Sequence, residues 1–233
     1  MSDYTSRFFL VDDEKNSDFF FPLHPTWWSR FYEYIWASKF IEKTDISLDA
    51  ASGICHPFKF YLADHGQETH ALDYDPRILE EGEIKKEIFE VFGATGLNKM
   101  TPEYFQKIVY QKASLTKMPY ENKKFDKIYC LSVLEHLNDW PNKYPYFNDH
   151  PGFDKFIPRN IEHSLREFRR VLKDNGLIIL TFDYPTINLY YFKRIIERLN
   201  LTFAAAVDFT LPPRALYSPD KQLYCFRAIL KKI

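Results

Sequence analysis

Glycine is scarce in this 233-residue sequence, with seven residues in all. No G-x-G-x-x-G run occurs, which removes the usual fingerprint of a nicotinamide dehydrogenase. Loops must therefore lean on the 14 prolines and on Asn and Asp. Cysteine is equally sparse. Cys55, Cys130 and Cys225 lie far apart and no C-x-x-C occurs, so neither a zinc site nor a disulfide framework is expected. Charge of one sign is missing as well. The formal net charge is −1, so no general electrostatic footprint for nucleic acid is present and no nucleic-acid partner is expected. No apolar run approaches the length of a membrane span. The segment from Met1 to Lys15 is polar and acidic and lacks the apolar stretch of a secretory signal. A cytoplasmic location is the simplest expectation, and the oligomeric state is not legible.

What the chain has in excess is aromatic surface: 18% of residues, with 22 Phe, 16 Tyr and 4 Trp. Such an excess serves a packed core, and it also suits a pocket for a flat or cationic ligand. Residues 1–44 form an aromatic-rich leader. Phe19-Phe20-Phe21-Pro22 reads as extended and buried. After Pro25, Trp28, Phe31, Tyr32, Ile35 and Trp36 fall on one helical stripe. That helix can pack on a core, close over a ligand as a lid, or do both.

Residues 45–233 alternate strand and helix. Strands are expected over Ile46–Asp49, Glu68–Asp73, Ile108–Ala113, Phe125–Leu131, Leu177–Phe182, Phe203–Phe209 and Leu223–Leu230. Helices are expected over Phe58–Asp64, Pro76–Phe92, Pro102–Val109, Leu189–Leu199 and along the Ile161, Leu165, Phe168, Leu172 stripe, with Gly176 placed to cap the last of these in the left-handed region. This alternation predicts one α/β domain, Rossmann-like, with a mostly parallel seven-stranded sheet and helices on both faces. Residues 138–159, rich in aromatics, interrupt the pattern as an insertion.

The first strand runs into a turn of small residues, Ala50, Ala51, Ser52 and Gly53, where a ligand can approach the backbone closely. In a doubly wound sheet, ligands sit beyond the carboxyl ends of the strands. Asp73 ends the second strand 24 positions after Asp49, near the spacing expected between a nucleotide-binding turn and its ribose-binding acid.

Five elements in order then resemble class I S-adenosylmethionine-dependent methyltransferases of the type 11 kind, from about Ser47 to Asp183. They are Asp49 with Gly53 after the first strand; Asp73 in Ala-Leu-Asp-Tyr-Asp-Pro; Met118-Pro119-Tyr120 before Phe125-Asp126; Val133-Leu134-Glu135-His136; and Glu167-Phe168-Arg169-Arg170-Val171-Leu172-Lys173 before Gly176. Two departures stand out. Cys55 replaces a family glycine, and Ser114 stands where many relatives carry an Asp toward the adenine.

The resemblance implies S-adenosylmethionine as cofactor, with no metal, and a role for each matched residue. Asp49 would orient the methionine ammonium, Ala51 and Gly53 would make room for the donor, and Asp73 would hold the ribose. Ser114 and Leu115 would border the adenine. Leu131 and Ser132 would line the methyl path. His136 is the candidate general base, with packing beneath the donor as the competing reading, and His56 is a weaker candidate. Asp183 and Tyr184 end the fifth strand and would bind acceptor or cap the next helix. The acceptor is expected to be a small molecule, sugar or peptide methylated on oxygen or nitrogen. The alternative from another class is a catalytically silent partner or regulatory subunit with the same fold.

Overall fold

The computed structural model describes residues 3–137 and 159–233. Among them the elements run, in chain order, as follows. β1 (Arg7–Phe8), β2 (Asp18–Phe19), β3 (Phe21–Pro22) and α1 (Arg30–Ala37) build the leader. The alternating part begins with β4 (Ile46–Ala50), α2 (Phe58–His65), β5 (Glu68–Asp73), α3 (Glu81–Asn98), α4 (Pro102–Lys107), β6 (Ile108–Lys112) and β7 (Phe125–Leu131). It continues with α5 (Arg159–Val171), β8 (Leu172–Tyr184), α6 (Leu189–Arg198), β9 (Leu201–Phe203), β10 (Tyr217–Ser218) and β11 (Leu223–Lys232).

The sheet has nine strands, where seven were expected. Its continuous order is β1-β11-β8-β7-β4-β5-β6, and β9 and β10 both pair with β11. The run from β6 to β8 is parallel, while β11 and its small partners are antiparallel. The two extra strands, β1 and β10, are each two residues long, too short to leave a periodicity signal. β4 and β7 flank the point where strand order reverses, so the gap between their carboxyl ends is the topological switch point.

Both faces of the sheet are covered, as the two-sided apolar strands require. On one face Ile128, Cys130, Ile178 and Leu180 pack with Leu165 and Phe168 of α5 and Ile195 of α6. On the other, Tyr129, Leu131, Ile179 and Ile229 meet Tyr34 and Trp36 of α1 and Phe58 and Leu62 of α2. Alternation along β7 and β8 thus sends successive side chains to different cores.

Several expectations need correction. Gly176 does not cap a helix. It lies inside β8, and α5 passes into that strand without a left-handed residue. A Cβ at Gly176 would stand 2.8 Å from the Asp126 carbonyl, so close backbone approach is what demands glycine there. The strand expected over residues 203–209 is confined to Leu201–Phe203. The Phe19–Pro22 stretch is a tight two-strand hairpin that buries Phe19 and Phe21 and leaves Pro22 exposed. The helix expected to end at Phe92 runs on to Asn98 across a break at Gly93. Of the expected stripe, Tyr32 and Trp36 are buried, together with Glu33, Tyr34 and Ala37, while Phe31, Ile35 and Trp28, which precedes α1, are partly buried. Arg159 opens α5, and the remainder of the expected insertion, residues 138–158, lies outside the described residues.

Candidate active site

The turn after β4 is held by three separate devices. Ser52 N–H donates to the Leu72 carbonyl at 3.0 Å, and Gly53 N–H donates to Asp73 Oδ2 at 2.9 Å. Asp73 Oδ1 takes the Asp75 N–H at 3.0 Å. Asp73 therefore ties the first turn to the second and keeps further lone pairs for a ligand. Ala51 and Gly53 both have positive φ, +58° and +62°, a conformation that L-residues other than glycine seldom adopt.

The third device is Lys59, which the sequence reading missed. It sits on α2 between Phe58 and Phe60 and is completely buried. Its Nζ donates to the Gly53 and His56 carbonyls, each at 2.8 Å, with Ser52 O at 3.5 Å. Burial pulls its pKa down to about 8, opposed by the Asp49 charge. A buried ammonium that gathers three carbonyls of one turn shapes that turn from below. A lysine flanked by two phenylalanines in a short apolar helix was the available signal.

Asp49 is 4% exposed, and its Oδ2 has no hydrogen-bond partner. Burial raises its pKa to about 7; the Lys59 charge lowers it and Asp73 raises it further. An acceptor atom with no partner among the described residues costs roughly 1–3 kcal/mol, a cost that a donor group placed beside it would remove.

α1 covers the same edge. Trp27 stacks on His56 with centroids 4.2 Å apart, and Tyr34 Oη lies 2.8 Å from His56 Nδ1. The His56 ring lies over Gly53, its Cδ2 2.4 Å from where a Cβ would stand. Burial, with the Arg30 and Lys59 charges, holds the His56 pKa well below its ordinary value, so this ring is neutral at physiological pH.

Glu33 of α1 is the second residue missed. It accepts from Arg30 Nη1 at 2.6 Å, Thr181 Oγ1 at 2.8 Å, Ser132 Oγ at 2.9 Å and Cys225 Sγ at 3.5 Å. It therefore joins the leader to the carboxyl ends of β7 and β8. Apart from Arg30, three positions away, these partners lie 99 to 192 positions away in sequence, so no local pattern announces them.

The other expected site residues are distributed along this edge. Leu131 and Ser132 are buried at the end of β7, Ser132 with φ +46°. Leu115 is buried, and Ser114 is half-buried with its hydroxyl 2.8 Å from Thr116 Oγ1. His136 lies in a single 3₁₀ turn, Leu134–Leu137, and is exposed. Partial desolvation and the Arg30 and Lys221 charges lower its pKa. Met118-Pro119-Tyr120 is bound from α5, where Arg170 donates to the Met118 and Tyr120 carbonyls and Glu167 accepts the Met118 N–H. That element is a strap held by α5 rather than a reactive one. Among the described residues no cluster of three metal-ligating side chains occurs, and no helix is long and apolar enough to cross a membrane.

Comparison with known proteins agrees with this fold. Residues 48–146 match the family model for a methyltransferase domain. No curated protein matches the sequence. A TehB-like S-adenosylmethionine-dependent methyltransferase from Corynebacterium glutamicum superposes with a TM-score of 0.53 at 14% identity, over 86% of this chain and 87% of that one. Magnesium protoporphyrin IX methyltransferase from Synechocystis, solved with S-adenosylmethionine bound, gives 0.51 at 14% identity over 86% and 76%. The [4+2]-cyclase SpnF gives 0.59 at 10% identity over 97% and 86%. At these identities the structural likeness speaks for the fold, which one of the three uses for a cyclisation.

Proposed function

We propose that this chain, whose residues 48–146 match the family model for a methyltransferase domain, is an S-adenosylmethionine-dependent enzyme of the class I kind that transfers a methyl group to nitrogen or oxygen of a small or mid-sized acceptor. The observation that carries the proposal is the open Oδ2 of buried Asp49 beside a left-handed Gly53 and the Asp73 carboxylate. Those three features fit the donor's ammonium, its backbone-hugging linker and its ribose, in that order along the edge. S-adenosylmethionine, when bound, supplies a methyl group already activated on a sulfonium. The protein's task is then chiefly alignment and exclusion of water.

In this reading Asp49 Oδ2 accepts from the ammonium, and Lys59 keeps the Ser52–Gly53 turn in shape. Asp73 retains its two backbone bonds and accepts from ribose hydroxyls through its remaining lone pairs. Ser114 and Leu115 border the adenine. Ser114 is a neutral acceptor whose hydroxyl already meets Thr116, which supports a weaker grip there than a carboxylate gives. Leu131 and Ser132 line the path to the acceptor. α1 and the preceding Trp27 act as a lid: Trp27 and Tyr34 hold the His56 ring over Gly53, and that ring must move aside as the donor enters. His136, exposed and beside Arg30 and Lys221, is better suited to a peripheral place than to a base in a closed site.

One observation favours a second reading. His56 already occupies the open face of Gly53, as it would in a silent protein that keeps the fold as a binding partner. Incubation with methyl-labelled S-adenosylmethionine and fractionated cell extract separates the two. Label in a small or mid-sized product supports transfer. Tight donor binding with no labelled product in any fraction supports the silent partner.

A further inference from the structure

Among the described residues, the carboxyl ends of β7 and β8 hold more carboxylate than neighbouring cations occupy. Arg30 and Glu33 satisfy each other, and Ser132, Thr181 and Cys225 complete the shell around Glu33. Glu135 and Asp183 stand outside that shell. The Asp183 N–H donates to Glu135 Oε1 at 3.3 Å, which sets the two residues side by side. Glu135 is only 6% exposed, yet its Oε2 has no hydrogen-bond partner, and Asp183 Oδ1 is buried and equally open. Two open acceptor atoms in one buried place call for an occupant made of donors.

Resting on the reading of the neighbouring β4 turn as the donor site, we propose that Glu135 and Asp183 form the acceptor subsite, and that the acceptor presents a protonated amine to them. The Arg30 charge acts on Glu135, on Asp183 and on Asp49 alike. Glu135 follows β7, which pairs with β4, and Asp183 lies near the end of β8, which pairs with β7, so the pair and the donor turn lie on the same edge of the sheet. Arg30 is itself bound to Glu33, so it does not fill the open atoms. A cation gains most here because two acid groups face it in a site screened from water. A neutral hydroxyl could donate only one bond, whereas a primary ammonium supplies three N–H groups for the two open oxygens.

The same pair can take the proton that an ammonium must lose before its nitrogen has a lone pair to give. Burial, with the Asp183 charge, pushes Glu135 up to about 8; burial, with the Glu33 charge, pushes Asp183 up to about 6. Arg30 and, for Asp183, Lys221 pull the other way. With no amine bound, the pair near neutral pH holds one proton and one negative charge between its members; an ammonium entering the subsite displaces that proton to solvent and leaves both oxygens as acceptors. In the step itself one N–H bond breaks and its electrons stay on nitrogen as the lone pair. The proton forms an O–H bond at Asp183 Oδ1.

The test uses two donor analogues on the full chain. S-adenosylhomocysteine carries nothing where the methyl group would be. Sinefungin carries an amino group there, on carbon in place of sulfur, and so presents an ammonium to the acceptor side. Sinefungin should bind at least about tenfold more tightly in calorimetry, the value of a charge-assisted hydrogen bond. Asp183→Asn and Glu135→Gln, both near-isosteric, should each remove most of that advantage. Both should leave S-adenosylhomocysteine affinity within about threefold, since ~0.6 kcal/mol is the range of a neutral change. Binding of S-adenosylhomocysteine with no advantage for sinefungin, or an advantage that survives both substitutions, overturns the proposal while sparing the donor reading. No binding of either analogue removes the donor reading and this inference with it.

Discussion

Asp49→Asn should make the protein more stable and a poorer binder at once. Burial lifts the Asp49 pKa from 3.8 to about 7. A carboxyl whose folded pKa is raised contributes stability below its unfolded value and loses it as pH climbs through the folded value. Across roughly three pK units at 1.36 kcal/mol each, that loss is about 4 kcal/mol between pH 4 and pH 7. An asparagine keeps the shape and has no charge to bury. The variant should therefore match the parent near pH 4 and exceed it above pH 7, by up to about 4 kcal/mol. Binding goes the other way. The donor's ammonium favours ionised Asp49, whose fraction rises from about a tenth at pH 6 to about nine-tenths at pH 8. Parent affinity for S-adenosylhomocysteine should thus improve about tenfold over that range. The asparagine variant should lose about 10- to 150-fold at pH 8 and show no such rise. Urea denaturation at pH 4.5 and 8, with calorimetric titration at pH 6 and 8, measures both arms. A variant destabilised equally at both pH values, or a parent affinity flat with pH, would refute the reasoning that Asp49 is held open for a cation.

Three further outcomes follow from the same edge of the sheet. Asp73→Ala should weaken donor binding by about 10- to 150-fold, the worth of hydrogen bonds to a carboxylate; unchanged affinity would mean that the ribose is held elsewhere. Lys59→Met should lower donor affinity by at least about tenfold while stability stays within about 2 kcal/mol, because the lost carbonyl bonds are offset by an ammonium desolvation that a fall from 10.5 to about 8 sets near 3 kcal/mol. A cooperative loss of folding in that variant would assign Lys59 to stability alone. His136→Ala should leave saturated turnover within a few-fold, and a fall of roughly 10²–10⁴-fold at normal donor affinity would instead identify it as a general base.

The central part of this fold was legible because its residues announce themselves locally. Glu68–Asp73 and Phe125–Leu131 emerged with the bounds the sequence suggested, the first as a short segment closed by Tyr-Asp-Pro and the second as a largely apolar run. Asp49, Gly53 and Asp73 were legible as a spaced set on a strand–turn–strand frame. What escaped notice depends on distant partners. Glu33 reads as the polar member of an aromatic helix, and its burial makes sense only beside Ser132, Thr181 and Cys225. Lys59 reads as a surface charge until the carbonyls of residues 52–56 fold over it. β1 and β10 exist because β11 offers them a free edge, not because two residues prefer to be extended. Gly176 was legible as a necessary glycine, but for the wrong reason. Sequence cannot distinguish a left-handed cap from a close approach to the Asp126 carbonyl.

The central claim is that the turn after β4 and the end of β5 form a donor site. Calorimetric titration of the intact chain with S-adenosylhomocysteine at pH 8, where Asp49 is ionised, tests it most directly. The account predicts saturable one-to-one binding that Asp49→Asn and Asp73→Ala each weaken by at least about tenfold. Absence of both heat and any thermal shift at millimolar ligand would contradict it.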